Sequence, residues 1–197
     1  MSKKIYKEFC SQENNMPIFS MDWWLDATCG ESNWDVAIVK QDSKIVAAMP
    51  YKTYKKSIFR VVSQPELTQK LGPYIKYPKN QKYEKRLSYE KKTFTSLIDE
   101  LPEFDMFSQN LDHSITNHLP FYWKGFQQTS QYTYVLDGLD DLDLLWNNLN
   151  NKTRTDIRKA EKKVKVIESE DINKFYNINK MTFERQNIEI PYSLNFI

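Results

Sequence analysis

Glycine is scarce in this chain. Its 197 residues include only Gly30, Gly72, Gly125 and Gly138, all far apart. A backbone cradle for a phosphate needs glycines gathered in a turn ahead of a helix, so a P-loop and a dinucleotide fingerprint are both excluded. Cysteine is scarcer still. Cys10 and Cys29 do not make a disulfide framework in a chain this long, and they read as reduced thiols. The only histidines, His113 and His118, are five residues apart with no cysteine nearby, so no metal site is expected. No apolar run approaches the ~20 residues that cross a bilayer. The opening Met1-Ser2-Lys3-Lys4-Ile5 lacks the apolar stretch of a signal peptide, so a cytoplasmic protein is expected. Charge of one sign is not in excess either. A net charge of +2 creates no global field that demands nucleic acid or a membrane.

Aromatic residues, by contrast, reach 14%. Phe121, Tyr122, Trp123 and Phe126 fall within six residues, with Pro120 before them and Gly125 inside. Such a cluster forms a packed corner, one wall of a substrate cleft, or both. Adjacent Trp23 and Trp24 cannot be buried equally on one helix, so one of them is expected at a rim.

Periodicity sets the order of elements. Ile5–Phe9 reads as a first strand. A helix over Met21–Ala27 follows, with Ser20 as its N-cap and Gly30 just past its end. Trp34–Lys40 and Lys44–Tyr51 read as a hairpin, and Ser57–Val62 as a third strand of a meander. Residues 64–83, with Pro65, Gly72, Pro73 and Pro78, form a long irregular crossing. Phe94, Leu97, Ile98 and Leu101 then make the apolar stripe of a helix that Pro102 ends. Short strands are predicted at Phe104–Ser108, Gln131–Leu136 and Val164–Ile167. Two more helices are predicted, one capped by Asp140 or Asp141 with Leu142, Leu145, Trp146 and Leu149 on one face. The other is capped by Asp171, with Ile172, Phe175 and Tyr176 inward. This order describes a mixed α/β (α+β) protein with a mostly antiparallel sheet flanked by helices.

Four motifs occur in sequence: Phe19-Ser20-x-x-Trp23-Trp24-Leu25, Thr68-Gln69-x-Leu71-Gly72-Pro73-Tyr74, Leu119–Phe126, and Arg154-x-x-x-Arg158-Lys159-Ala160-Glu161-Lys162. With the element order, they resemble the FemAB-like branch of the GNAT acyltransferase superfamily. The resemblance implies a GNAT-like lobe over residues 1–138, connecting helices over 139–163, and the start of a second, incomplete lobe over 164–197. On that basis the chain is expected to be a fragment that is inactive alone, with self-association or a second chain covering residues from about 164 onward.

The resemblance also implies acyl transfer to an amine, N-acetyl or aminoacyl, with acyl-CoA or aminoacyl-tRNA as donor. This chain would supply the acceptor side. GNAT proteins hold coenzyme A at a Gln/Arg-x-x-Gly-x-Gly/Ala turn. No such turn occurs here, so the donor site is expected outside this chain.

Within the chain the best anion site is the basic stretch 152–165. Arg154, Arg158 and Lys162, spaced four residues apart, share a helix face, and two guanidinium forks could grip the diphosphate of a nucleotide-linked amine acceptor. The alternative is a solvated face, since Asp156 and Glu161 are interspersed. Tyr122, Trp123 and Trp24 complete the expected substrate-binding set. Asp105, Tyr122 and Tyr134 are acid/base candidates more easily read as structural, and no catalytic residue is assigned. Two rival readings remain: a non-catalytic GNAT-like interaction module, and an RNA-contacting module that binds tRNA through the basic helix.

Overall fold

The computed structural model describes residues 2–197. It is a mixed α/β structure, as the element order predicts, with seven α-helices and a five-stranded sheet among those residues. The chain divides into two compact units, one ending at Gln128 and the other beginning at Thr129.

The first unit is built around β2 (Lys44–Lys56). Strand β1 (Trp34–Gln41) pairs antiparallel along one side of it. The other side pairs with β3 (Phe59–Ser63) near its end and with the short β4 (Tyr74–Ile75) near its start, both antiparallel. Strand β5 (Met106–Ser108) joins β3 in parallel. Between the β3 and β4 pairings lies buried Pro50, opposite Val36. Its carbonyl accepts a 2.9 Å bond from Gln109 Nε2 rather than from β1. The N and C=O of one strand residue point the same way, so the missing proline N–H falls in the gap and removes no bond from the β1 ladder.

Both faces of this sheet are covered. Ala47, Met49 and Tyr51 alternate onto one face and pack with Phe94, Leu97 and Ile98 of α3 (Tyr83–Asp99) and with Phe121 of α4 (Leu119–Trp123). Ala48, Trp34 and Val36 point to the other face, against Tyr6 and Cys10 of α1 (Ser2–Gln12) and Leu25 of α2 (Asp22–Cys29). The period-two alternation of the strands and the 3.6-residue stripes of the helices thus meet in two cores.

Several expectations change. Ile5–Phe9 belongs to helix α1, because its buried positions, Tyr6 and Cys10 with Phe9 partly covered, repeat at helical rather than alternating spacing. Ser20 does not cap α2; Met21 occupies that position, and Ser20 sits buried in a 3₁₀ turn where its carbonyl accepts the Tyr6 hydroxyl at 2.6 Å. The corner Leu119–Phe126 is a packed bend. Phe121 lies 6.0 Å from Phe94 and 5.6 Å from Phe126, which in turn stands 5.0 Å from Phe107.

The second unit contains α5 (Leu142–Asn148), α6 (Asn151–Glu161) and α7 (Ile172–Glu184). Gln131–Leu136 and Val164–Ile167 are not strands: no ladder partner lies beside them, and Tyr132, Tyr134 and Val166 are almost fully exposed. β propensity records how well a side chain fits a pleated, half-buried surface, and alone it creates no sheet. Ile172 and Phe175 are likewise exposed rather than inward. Of the three residues expected inward, Tyr176 alone is half-buried, its hydroxyl 3.3 Å from the Tyr192 carbonyl.

Gly72 shows how tightly the first unit is closed. Its φ is +129°, and a Cβ there would lie 2.6 Å from Leu111 Cδ2. Gly72→Ala should lower unfolding stability by about 1–3 kcal/mol. In a Leu111→Ala background the steric part should disappear and the backbone part remain, as denaturant titration of the four proteins would show.

Candidate functional site

The first unit brings two of the motifs together. Trp24, on α2, donates its indole N–H to Thr68 Oγ1 at 3.0 Å, and Phe19 and Trp23 meet the Trp24 ring edge-on at 5.1 and 5.8 Å. Trp24 is half-buried while Trp23 is 50% exposed, which resolves the tryptophan pair as one inner and one rim residue. Ile18 and Leu67 are also exposed.

The irregular crossing that carries Thr68 is firmly tied to the segment after β5. Gln64 accepts from Asn110 N at 2.7 Å and donates to the Thr68 carbonyl at 2.5 Å. Leu71 N reaches the Asn110 carbonyl at 2.8 Å, and Lys70 pairs with Asp112. Burial would raise the Asp112 carboxyl, but Lys70 and the Ser114 N–H bring it down to about 2. Gln109 Oε1 is buried without a partner while its Nε2 serves Pro50.

A second polar cluster, absent from the sequence reading, lies under the third motif. Glu90 has a 7% exposed side chain and accepts from Tyr77 Oη (2.8 Å), Arg86 Nε (3.0 Å) and Asn117 Nδ2 (3.1 Å). The Arg86 guanidinium stacks 4.2 Å above the Tyr77 ring. Burial pushes the Glu90 carboxyl up, but the three donors outweigh it and hold the group below the usual carboxylate range. Burial, and then the bond to Glu90, pushes the Tyr77 phenol up to about 12, so it stays a donor. A signal for Glu90 was present: it shares the α3 stripe with Thr93, Phe94, Leu97 and Ile98 at helical spacing, a carboxylate where an apolar residue belongs.

Tyr122 and Trp123 are 65% and 56% exposed on the outer side of α4, with Lys91 Nζ 4.7 Å from the Trp123 ring centre. Asp105 is structural: its carboxylate accepts from Arg60 N at 2.7 Å and extends the β3 edge. Tyr134 is fully exposed.

In the second unit, Arg154 and Arg158 lie on α6, and Lys162 is its C-cap residue. Arg158 stands 5.2 Å over the Trp146 ring, and Arg154 bonds the Asn151 side chain. Among the described residues, none of these three cations pairs with a carboxylate, while neighbouring Lys159 lies 4.0 Å from Asp156. The guanidinium pair therefore fits an oxyanion. The helix starts of this unit do not. Asp141, Asn150 and Asp171 each accept an amide of their own first turn, and two of these caps are anionic. At each of the three starts one first-turn amide is thus already bonded, and at α5 and α7 the cap also places a negative charge there.

No helix among the described residues is long and apolar enough to cross a membrane, and they contain no cluster of three or more His, Cys, Asp or Glu residues able to hold a metal ion. The model of the FemAB family matches residues 70–193. The chain belongs to the FemAB family. The FemAB match takes in α3, β5, α4 and the whole basic helix, while Trp23 and Trp24 precede it. Membership in the FemAB family gives the chain an acyltransferase kind of function. Comparison with curated proteins gives no match, and comparison with solved structures gives none either.

The Glu90 cluster makes stability depend on pH with a definite sign. A carboxyl whose folded pKa is depressed stabilises above its unfolded pKa, and that contribution is lost as pH falls through the folded value. Glu90→Gln should cost about 2–4 kcal/mol near neutral pH. The gap from the parent should narrow steadily below about pH 4. Urea titrations across the acid range would check both the size and the narrowing.

Proposed function

We propose that this FemAB-family chain serves acyl transfer to an amine, N-acetyl or aminoacyl, and that it contributes the acceptor side of the reaction. The observation that carries the proposal is the pair of carboxylate-free guanidinium groups on α6, inside the family match. Arg158 is braced by Trp146 and Arg154 by Asn151, so both forks are partly ordered before a ligand arrives. Ordering beforehand reduces the entropy lost on binding. A nucleotide-linked amine acceptor presents a diphosphate, whose oxygens match two such forks in a way that lysine ammonium groups do not. Lys162 adds a point charge one turn further on.

In such a reaction the acceptor amine attacks the acyl carbonyl of a thioester or ester. The C–N bond forms as the donor's sulfur or oxygen leaves, and the amine gives up a proton. Anchoring the acceptor by its phosphates, away from the reacting amine, lowers the barrier by positioning. The donor is an acyl-CoA or an aminoacyl-tRNA.

A second reading has its own support. Lys152, Lys159, Lys163 and Lys165 surround the arginines, giving the stretch the electrostatics of a contact to a tRNA backbone. The two readings separate in one set of titrations. For the acceptor reading, uridine diphosphate binding followed by calorimetry should weaken about 10- to 100-fold in the Arg154→Gln/Arg158→Gln protein. Arg158→Lys should recover little, because the fork is lost. Unchanged affinity in the double variant would overturn the acceptor assignment. For the tRNA reading, affinity should fall steeply with salt, and each lysine removed should lower the logarithmic slope by about 1. Transfer of radiolabelled acyl groups from acetyl-CoA or aminoacyl-tRNA to an amine acceptor tests the activity itself.

A further inference from the structure

The hairpin of β2 and β3 reaches beyond the rest of the sheet. Strand β1 pairs with β2 only as far as Lys52, and β5 pairs with β3 only from Val61. Residues 54–59 therefore form a two-stranded ribbon with no third strand beside it, closed by Ser57 and Ile58. Ser57 adopts φ +59°. Such a turn ordinarily takes Gly, Asn or Asp, and water ordinarily takes polar groups at a projecting tip. Here Ile58 stands at the apex, 82% exposed, and Phe59 beside it is 54% exposed.

The register arranges the charges around this tip. Lys56 lies opposite Phe59, and Lys55 opposite Arg60. Arg60 is held by Glu103 at 2.7 Å and lies 3.6 Å from Asp105, so it adds little free charge. Lys55 and Lys56 have no carboxylate partner among the described residues, and residues 52–65 contain no Asp or Glu. The result is an apolar point with two free cations immediately behind it.

We propose that the β2–β3 hairpin tip is a peripheral docking site for an anionic lipid surface. Ile58 and Phe59 enter the headgroup boundary, and Lys55 and Lys56 meet the lipid phosphates. The shape favours this partner over RNA. A convex tip with an aliphatic side chain at its apex offers no platform on which a base can stack, whereas a soft interface accepts a small apolar wedge ringed by cations. The inference concerns the meander, which precedes the FemAB match, and is independent of the acyl-transfer reading.

Co-sedimentation with vesicles tests it on the full chain. Vesicles of phosphatidylcholine with about one-third phosphatidylserine should bind the protein, and pure phosphatidylcholine should bind it at least about ten-fold more weakly. Ile58→Ser/Phe59→Ser and Lys55→Glu/Lys56→Glu should each reduce anionic-vesicle binding by about ten-fold or more. These residues are exposed, so circular dichroism should show the fold unchanged. Raised salt should weaken the parent. Absence of vesicle binding would overturn the proposal, as would full binding by Ile58→Ser/Phe59→Ser. So would binding to single-stranded RNA, without vesicle binding, that Lys55→Glu/Lys56→Glu abolishes.

Discussion

Strand β2 is the constraint on which the first unit depends, because its residues 47–51 are buried on both faces and it carries paired strands along both of its edges. Ala47, Met49 and Tyr51 complete one core, and Ala48 closes the other. A one-residue slip of β2 would exchange the two sets and push tyrosine and methionine into the space shaped for alanine. Each side chain on this strand therefore helps to fix the register, and with it the position of every element that pairs with β2. Pro50 is tolerated because the edge on which its N–H would lie faces the gap between β3 and β4, where Gln109 Nε2 donates to the Pro50 carbonyl.

That same gap organises the polar architecture. The segment after β5 runs past it and ties the crossing 64–73 in place through Gln64, Asn110 and Asp112. Thr68 is thereby presented to Trp24, and two motifs far apart in the chain form one patch. Glu90 performs a similar task on the opposite face of the sheet. Its carboxylate gathers Tyr77, Arg86 and Asn117, which links the crossing, α3 and the approach to α4. A buried carboxylate with three donors is stable only while all three are present, so the cluster couples three segments that share no backbone hydrogen-bonded ladder.

The second unit follows a different logic. Its helices are defined locally, by Asp141, Asn150 and Asp171 at their starts, and none of its residues is fully buried. Its chemistry is correspondingly on the surface: an arginine braced on a tryptophan, a second held by an asparagine, and lysines around them. Family membership gives this chain an acyltransferase kind of function, and the proposed phosphate anchor is the charge on α6.

Short-range patterns were legible in the sequence. The β1–β2 hairpin, the stripe of α3, a cap at Asp140 or Asp141, the Asp171 cap and the mixed α/β class follow from alternation, helical spacing and capping chemistry, which act over a few residues; the structure chooses Asp141. The face shared by Arg154 and Arg158 was legible for the same reason. Only the tertiary structure decided what depends on distant partners. It made Ile5–Phe9 a helix by burying Tyr6 and Cys10 against Trp34 and Leu25, and it left Gln131–Leu136 without a ladder. It also turned Phe121 inward while leaving Tyr122 and Trp123 exposed, and it collected three donors around Glu90. A period in the sequence says which side of an element is apolar. What that side meets is set by contacts between residues far apart in the chain, and those contacts exist only once the sheet has closed.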